Sequence, residues 1–488
     1  MISSKGSNGL PGIVDVVDSE DARYSPPNQD WRRANWTLQC QLAETQHTLH
    51  QVRAELDRTI ESRSWRLTRF LRNGLDGLRR LRSGVTVQQA GPPRLRSVTE
   101  FAEARPRPEQ HRLLLVDVTE LAIENLQGGI QHTVKGILSE WLLSPPAGWQ
   151  VVPVQLTREG TYVSASGDLR HLFGSFADPH AGRQIDVGRG DVFLGLDLLR
   201  DHAGTFRVAL EKLRSKQVHV EIVVYDLLPV DLPHCVPGYI SESFLEWLAA
   251  VGDLADGVAC ISQAVAQRFA AWLSARDGRK AGISISSFRL GAPAPASVNA
   301  GRRARRLDGA SFLMVGTVEP RKGYVDALNA FERIWSTAEG ADVTLTIVGR
   351  YGWGLPEFLA RLESHPQMGR RLFWLRRATD EDVQACYDTA DALLFCSYGE
   401  GFGLPIVEAA QHGLPLILRD LPEFREVAGD GAYFFRSQAE EGIQAAIGHW
   451  RELMRAGQAP MPRDDIAITW EQSADQLLVA VGSNLDAG

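Results

Sequence analysis

Short apolar runs recur along most of the chain, each followed by turn residues and then by a stretch with helical spacing. Leu113-Leu114-Leu115-Val116 is the first, and a helix is expected around Thr133 to Leu143. Val151 to Leu156, Val192 to Leu194, Val218 to Val224 and Gly257 to Ile261 follow, the last leading through Ser262 into a helix ending near Leu273. The pattern breaks at 291–309, where Gly291-Ala292-Pro293-Ala294-Pro295 runs into the polar, basic stretch Asn299 to Arg306. A second series then begins. Its strands are expected at Ser311 to Val315, Val343 to Val348, Leu372 to Leu375, Ala392 to Cys396, Leu414 to Leu418 and Ala432 to Phe435, with a final helix from about Thr469 to Val481. Continuous apolar runs separated by helices indicate parallel sheets covered on both faces. The fold class is therefore α/β: two doubly wound domains, residues 111–295 and 305–488, facing each other across a cleft at the carboxyl ends of their strands, where such sheets bind ligands.

The first 110 residues follow other rules. Residues 1–34 are polar, lack periodicity and are expected to be disordered. Leu38, Leu42, Thr45, Leu49, Val52, Leu56 and Thr59 alternate spacings of four and three, which predicts a short coiled coil or helical hairpin contact within 35–83. Between Arg63 and Arg82 stand seven Arg and one Asp, interleaved with Trp65, Phe70, Leu71, Leu75, Leu78 and Leu81. A basic amphipathic helix of this kind suits an anionic membrane surface or a partner helix; packing on the chain's own α/β domains is the other reading. Residues 84–110, with Gly91-Pro92-Pro93 and Pro106 and Pro108, read as a linker.

Composition narrows the class. With 44% hydrophobic and 23% charged residues and a net charge of −8, the 488-residue chain reads as a globular protein with no nucleic-acid partner. Its five cysteines (Cys40, Cys235, Cys260, Cys386, Cys396) are scattered, so neither a disulfide framework nor a zinc site is expected. The N-terminus is no secretory signal, and no run reaches the roughly 20 apolar residues of a membrane span. A cytoplasmic location is expected, with contact at the inner face of the membrane through the basic segment.

Four segments carry candidate chemistry. Tyr398-Gly399-Glu400-Gly401-Phe402-Gly403-Leu404-Pro405-Ile406-Val407-Glu408 directly follows the strand at 392–396. Its glycines allow close backbone approach, Pro405 suits a first helical turn, and the free N–H groups near Gly403 and Leu404 can hold an anion. Glu400 at the mouth and Glu408 one turn into the helix could both accept from a polyol; a plain strand–turn–helix with a surface Glu would carry the same letters. Gly316 to Gly323 follows the first strand of that domain, which puts Arg321 and Lys322 at the same sheet edge, where two cations can neutralise a diphosphate. Cations are disfavoured at a helix start, so an anionic partner is expected for them. Gln127 to His132 has a Gly pair opening a helix, and Asp226 or Tyr225 ends an apolar strand, facing a sugar or simply forming a turn. The acidic triplet Asp380-Glu381-Asp382 is read as a helix start rather than a metal site.

EGFGLPIVE at 400–408 resembles the E-x7-E element of family-four retaining glycosyltransferases of the GT-B fold, which has two Rossmann-like domains. VGTVEPRKG at 315–323 is similar to their diphosphate-binding loop, GGIQ at 128–131 to their N-domain glycine loop, and IVGRYGW at 347–353 adds to the match, which covers roughly 112–482. Within the family the chain resembles bacterial O-antigen and surface-polysaccharide mannosyl- or rhamnosyltransferases; SRSWRLTRFLR at 62–72 resembles a segment often placed before such domains. The resemblance implies that Glu408 holds the ribose and Glu400 the donor sugar. It implies that Arg321 and Lys322 bind the diphosphate with the backbone of Gly403 and Leu404, and that Phe402, Gly316 and Gly349 border the nucleotide. Gly129 would approach from the opposite domain. Many members have a His where this chain has Tyr225-Asp226, and a basic residue where it has Thr317, so Asp226 enters as a substitute donor contact. The implied activity is hexose transfer from a nucleotide-diphosphate sugar, GDP-mannose first, to a glycan or lipid-linked acceptor, by front-face attack with retention and without cofactor or metal. A nucleotide-sugar epimerase on the same fold and a non-catalytic subunit of a polysaccharide assembly complex are the competing expectations.

Overall fold

A computed structural model describes residues 112–123, 128–165, 182–276, 282–292, 311–436 and 440–487. The expectations for 1–34, 35–83 and 84–110, for Gln127, for Cys40 and for the basic stretch at 299–306 lie outside the described residues.

Two sheets organise the rest. The first holds β1 (Arg112–Asp117), β2 (Trp149–Leu156), β3 (Tyr162–Ser164), β4 (Val192–Gly195), β5 (His219–Val224), β6 (Gly257–Cys260) and β7 (Ser284–Ser287), in the order β3-β2-β1-β4-β5-β6-β7. All its pairings are parallel except β2 with β3. Its helices are α1 (Thr119–Ile123), α2 (Gly129–Leu143), α3 (Ala203–Ser215), α4 (Leu228–Asp231), α5 (Gly238–Leu254) and α6 (Gln263–Ser274). The second sheet, entirely parallel, has the order β10-β9-β8-β11-β12-β13, from β8 (Ser311–Val315), β9 (Thr344–Val348), β10 (Leu372–Leu375), β11 (Ala392–Phe395), β12 (Leu416–Arg419) and β13 (Tyr433–Phe435). Around it lie α7 (Tyr324–Trp335), α8 (Pro356–Glu363), α9 (Asp380–Thr389), α10 (Leu404–Gln411), α11 (Pro422–Ala428) and α12 (Glu440–Arg455); α13 (Trp470–Ala487) follows them.

The central strands β4, β6, β11 and β12 are buried at every residue, because helices cover both faces. The two strands without a run of their own, β3 and β7, lie at the sheet edges; Ser284-Ile285-Ser286-Ser287 is only half-buried and offers no apolar signal. β12 begins at Leu416 rather than Leu414, because Leu414 N–H still closes on Ala409 O (2.9 Å), capping α10. The last helix of the division at 305–488 packs on the first sheet, not the second: α13 lies against β6, β7 and α2. Asn484 of α13 donates to the buried Glu221 of β5 (2.6 Å) and accepts from Ser284 (2.6 Å), while Ser473 donates to Arg289 O (2.7 Å). Asp382 caps α9 reciprocally with Thr379, which accounts for the acidic triplet at that helix start.

Candidate active site

Each sheet has one point where strands are added in both directions: between β1 and β4 in the first, between β8 and β11 in the second. Loops leaving the carboxyl ends of such a pair diverge and leave a crevice. The turn Pro320–Lys322 follows β8 and the segment 396–403 follows β11, so Arg321, Lys322 and Glu400 reach one crevice from strands adjacent in space and some 80 residues apart in sequence.

There they form a closed charge cluster. Lys322 Nζ lies 2.5 Å from Glu400 Oε1, and Arg321 Nη1 lies 2.7 Å from Glu400 Oε2. Arg321 Nε adds a second carboxylate, Glu319 Oε1, at 2.6 Å, and its Nη1 also donates to Gly399 O (3.2 Å). Lys322 and Glu400 are both buried. Burial alone would raise the Glu400 carboxyl, but Arg321 and then Lys322 outweigh it and hold it at about 2. For Lys322 burial dominates and lowers the ammonium, opposed by Glu400; for Glu319 burial raises the carboxyl, opposed by Arg321. The anion that two cations at this turn require is thus supplied by the protein itself.

The helix behind the cluster starts as expected. Gly403 has φ 98°, a left-handed conformation open to glycine, and caps α10 with Pro405 in its first turn. Gly401 is needed for a different reason: a Cβ there would lie 1.9 Å from Tyr225 O of the first lobe. Gly316 and Gly349 end the paired strands β8 and β9 with their backbones in contact, a Cβ at 349 falling 2.0 Å from Gly316 O. Gly129 opens α2 and faces Leu404, whose Cδ1 would sit 3.7 Å from a Cβ at 129. Glu408 accepts from Tyr387 OH through Oε2 (2.7 Å); burial raises its carboxyl, while Tyr387 and His132, from across the crevice, pull it down. Arg321, Lys322, Glu400, Gly316 and Gly349 thus come together at the ends of β8, β9 and β11, while Glu408, Tyr387, Leu404, His132 and Gly129 meet along α10 and the start of α2.

Three expectations are modified. The Phe402 side chain is buried in the apolar cluster that spans both lobes, so only its main chain belongs to the loop at the mouth. Tyr225 does not face a sugar: its hydroxyl donates to Leu196 O (2.7 Å) inside the first lobe. Asp226 serves the turn, Oδ1 accepting from Leu228 N–H (3.0 Å), although the carboxyl, raised chiefly by burial, also feels Arg321. Sequence reasoning missed Arg268, Glu423, Glu426, Tyr387 and Trp353, which hold the loops in place. Trp353 Nε1 donates to Cys235 O across the mouth (3.1 Å). IVGRYGW contained Trp353; the others sit in ordinary helical sequence with no local signal.

The sequence model described as glycosyl transferases group 1 matches residues 301–454. The chain is 33% identical to the serotype-specific mannosyltransferase WbdA of Escherichia coli over 97% of its own length and 61% of that protein's. It is 28% identical to the O-antigen chain mannosyltransferase RfbU of Salmonella typhimurium, over 29% of this chain and 38% of that one. The chain thus spans about three fifths of the length of the WbdA proteins it matches. Among solved structures, sucrose-phosphate synthase from Thermosynechococcus elongatus superposes with a TM-score of 0.52 at 15% identity, covering 78% of this chain and 100% of that one, a likeness of fold. Residues 301–454 are thus similar to the group 1 glycosyl transferases, and the two described lobes have the GT-B fold.

Proposed function

We propose that the chain is a retaining hexosyltransferase that moves mannose from a nucleotide-diphosphate sugar to a glycan or lipid-linked acceptor in surface-polysaccharide synthesis. The observation that carries this reading is the meeting of Arg321, Lys322 and Glu400 at the β8/β11 crevice, with the start of α10 behind them and Gly129 opposite. A diphosphate entering that crevice takes over the counter-ion role of Glu400, and the freed carboxylate turns to accept from hydroxyls of the donor sugar. Arg321 and Lys322 then stabilise the negative charge that grows on the leaving diphosphate. Glu408, oriented by Tyr387, accepts from the ribose. The acceptor hydroxyl attacks from the face the diphosphate leaves, and a phosphate oxygen takes its proton, so the protein contributes position and charge rather than a strong base. The two cations do the work a metal would otherwise do. Similarity to O-antigen mannosyltransferases supports mannose as the sugar, and the Arg-rich run at 63–82 offers the chain a hold on the membrane where a lipid-linked acceptor resides.

The test is donor turnover with GDP-mannose in excess chelator, with and without a mannan-type or lipid-linked acceptor. GDP release that needs the acceptor, together with an α-linked product, is expected. Interconversion of the free nucleotide sugar without acceptor would make the chain an epimerase, and failure of all nucleotide diphosphates to bind would make it a scaffold.

A further inference from the structure

Where the two lobes touch, one contact grips both peptide groups that flank Glu400. The N–H of Glu400 donates to Glu423 Oε1 (3.0 Å), a partner in its own lobe. Its C=O accepts from Arg268 Nη2 (2.9 Å), and Arg268 stands on α6 of the other lobe. The same guanidinium lies 3.6 Å from Glu423 Oε2 and 3.4 Å from Asp231 Oδ2, so it holds the carbonyl of Glu400 and the carboxylate that holds its amide. The N-terminus of α6 adds a second grip. Ser262 Oγ donates to Gly401 O (2.8 Å), and the amides of Gln263 and Ala264 donate to the two oxygens of Glu426 on α11 (2.7 and 3.0 Å). A carboxylate at a helix start is favoured by the free amides and the dipole there.

Parting of the lobes would break every one of these bonds except those within one lobe, Glu400 N–H to Glu423 and Arg268 to Asp231. The carbonyl of Glu400 would then lose its charged donor, and the 400–401 peptide beside the Glu400 side chain would be free to turn. With the lobes together, the backbone at Glu400 is fixed on both sides.

We propose that Arg268 is a positioning residue. From the lobe opposite the charge cluster it locks the Glu400 peptide, so that the Glu400 carboxylate is set for its work only while the lobes are apposed, with the Glu426 contact to α6 as the supporting latch. The catalytic part of this inference rests on the hexosyltransferase reading; the mechanical part does not. Two measurements separate them. Hydrogen exchange at the Glu400 amide should quicken at least tenfold in Arg268→Ala, with the amides of Gln263 and Ala264 following in Glu426→Ala. In the sugar-transfer assay, Arg268→Ala should lower kcat roughly ten- to a hundredfold, Arg268→Lys should recover part of it, and calorimetric affinity for GDP should stay within twofold of wild type. Unchanged exchange and unchanged kcat would overturn the proposal. So would a loss of GDP affinity as large as the loss of kcat, since that is the mark of general damage to the fold. If the wild-type chain transfers no sugar, the functional reading fails by itself, and the exchange data alone decide whether Arg268 holds Glu400.

Discussion

The two crevices of this protein share a topology and differ in charge. At the first, between β1 and β4, two carboxyls are buried with no cationic partner among the described residues. Asp117 accepts from Thr119 N–H (3.0 Å), Thr119 OH (2.6 Å) and Tyr162 OH (2.7 Å), and Asp197 accepts from Leu121 N–H (2.9 Å) and Leu198 N–H (3.0 Å). Burial outweighs these bonds and raises Asp117 to about 7 and Asp197 to about 6. At the second, between β8 and β11, burial is overcome by Arg321 and Lys322, and Glu400 falls to about 2. Equivalent positions in two doubly wound sheets are therefore used for opposite ends. The first crevice spends its carboxyls on shaping the main chain of α1, which leads toward Gly128 and Gly129. The second holds its Glu400 carboxylate ionised between two cations.

The comparison is broken most decisively at the cations. Arg321→Ala and Lys322→Ala should each lower turnover by roughly a hundred- to a thousandfold, the range for removing one preorganised donor at a site of developing charge. Near-normal steady-state rates in both variants would remove the functional distinction between the crevices. Next in size are opposite pH responses of stability. The folded chain retains a proton on Asp117 that the unfolded chain has released, so this site favours folding at low pH, and its contribution is lost as pH rises from about 4 to about 7. Glu400 acts in the other direction: its contribution is present above the usual carboxylate range and is lost as pH falls from about 4 to about 2. Thermal unfolding across pH should therefore show Asp117→Asn flattening the upper arm by about 2–4 kcal/mol, with the acid arm intact. An unaltered slope between pH 4 and 7 would show that Asp117 is not the group responsible. The smallest effect belongs to Tyr387→Phe. Loss of its bond to Glu408 should weaken GDP binding by about 1–2 kcal/mol, read by calorimetry, with little change in melting temperature; equal affinity in the variant would place Glu408 outside the nucleotide site.

Much of this arrangement was readable before any coordinates, for a definite reason. Strands buried on both faces must be written as continuous apolar runs, so β1, β4, β5, β8 and β11 stand out, and topology then delivers whatever follows β8 and β11 to one place. Glycines such as Gly401 and Gly403 are visible because steric demands leave few substitutes. What stayed hidden depends on meetings between distant segments. Arg268 and Glu423 lie 155 positions apart and neither has a neighbour in sequence that betrays the other. The expectation of an anionic partner for Arg321 and Lys322 was sound, but only the packing of the two loops could identify it as Glu400. Edge strand β7, mostly serine and half-buried, obeys no rule that separates it from a loop.

The return of α13 to the first sheet sets an order on biosynthesis. The first lobe is synthesised early, yet its Glu221 carboxylate lacks the amide donor from Asn484, and the flank of β6 and β7 lacks the cover of α13, until residues 470–487 have been made. The half made first is consequently the half completed last. A nascent chain stalled after residue 455 would present a completed second sheet tethered to a first sheet whose β6 and β7 flank is still open.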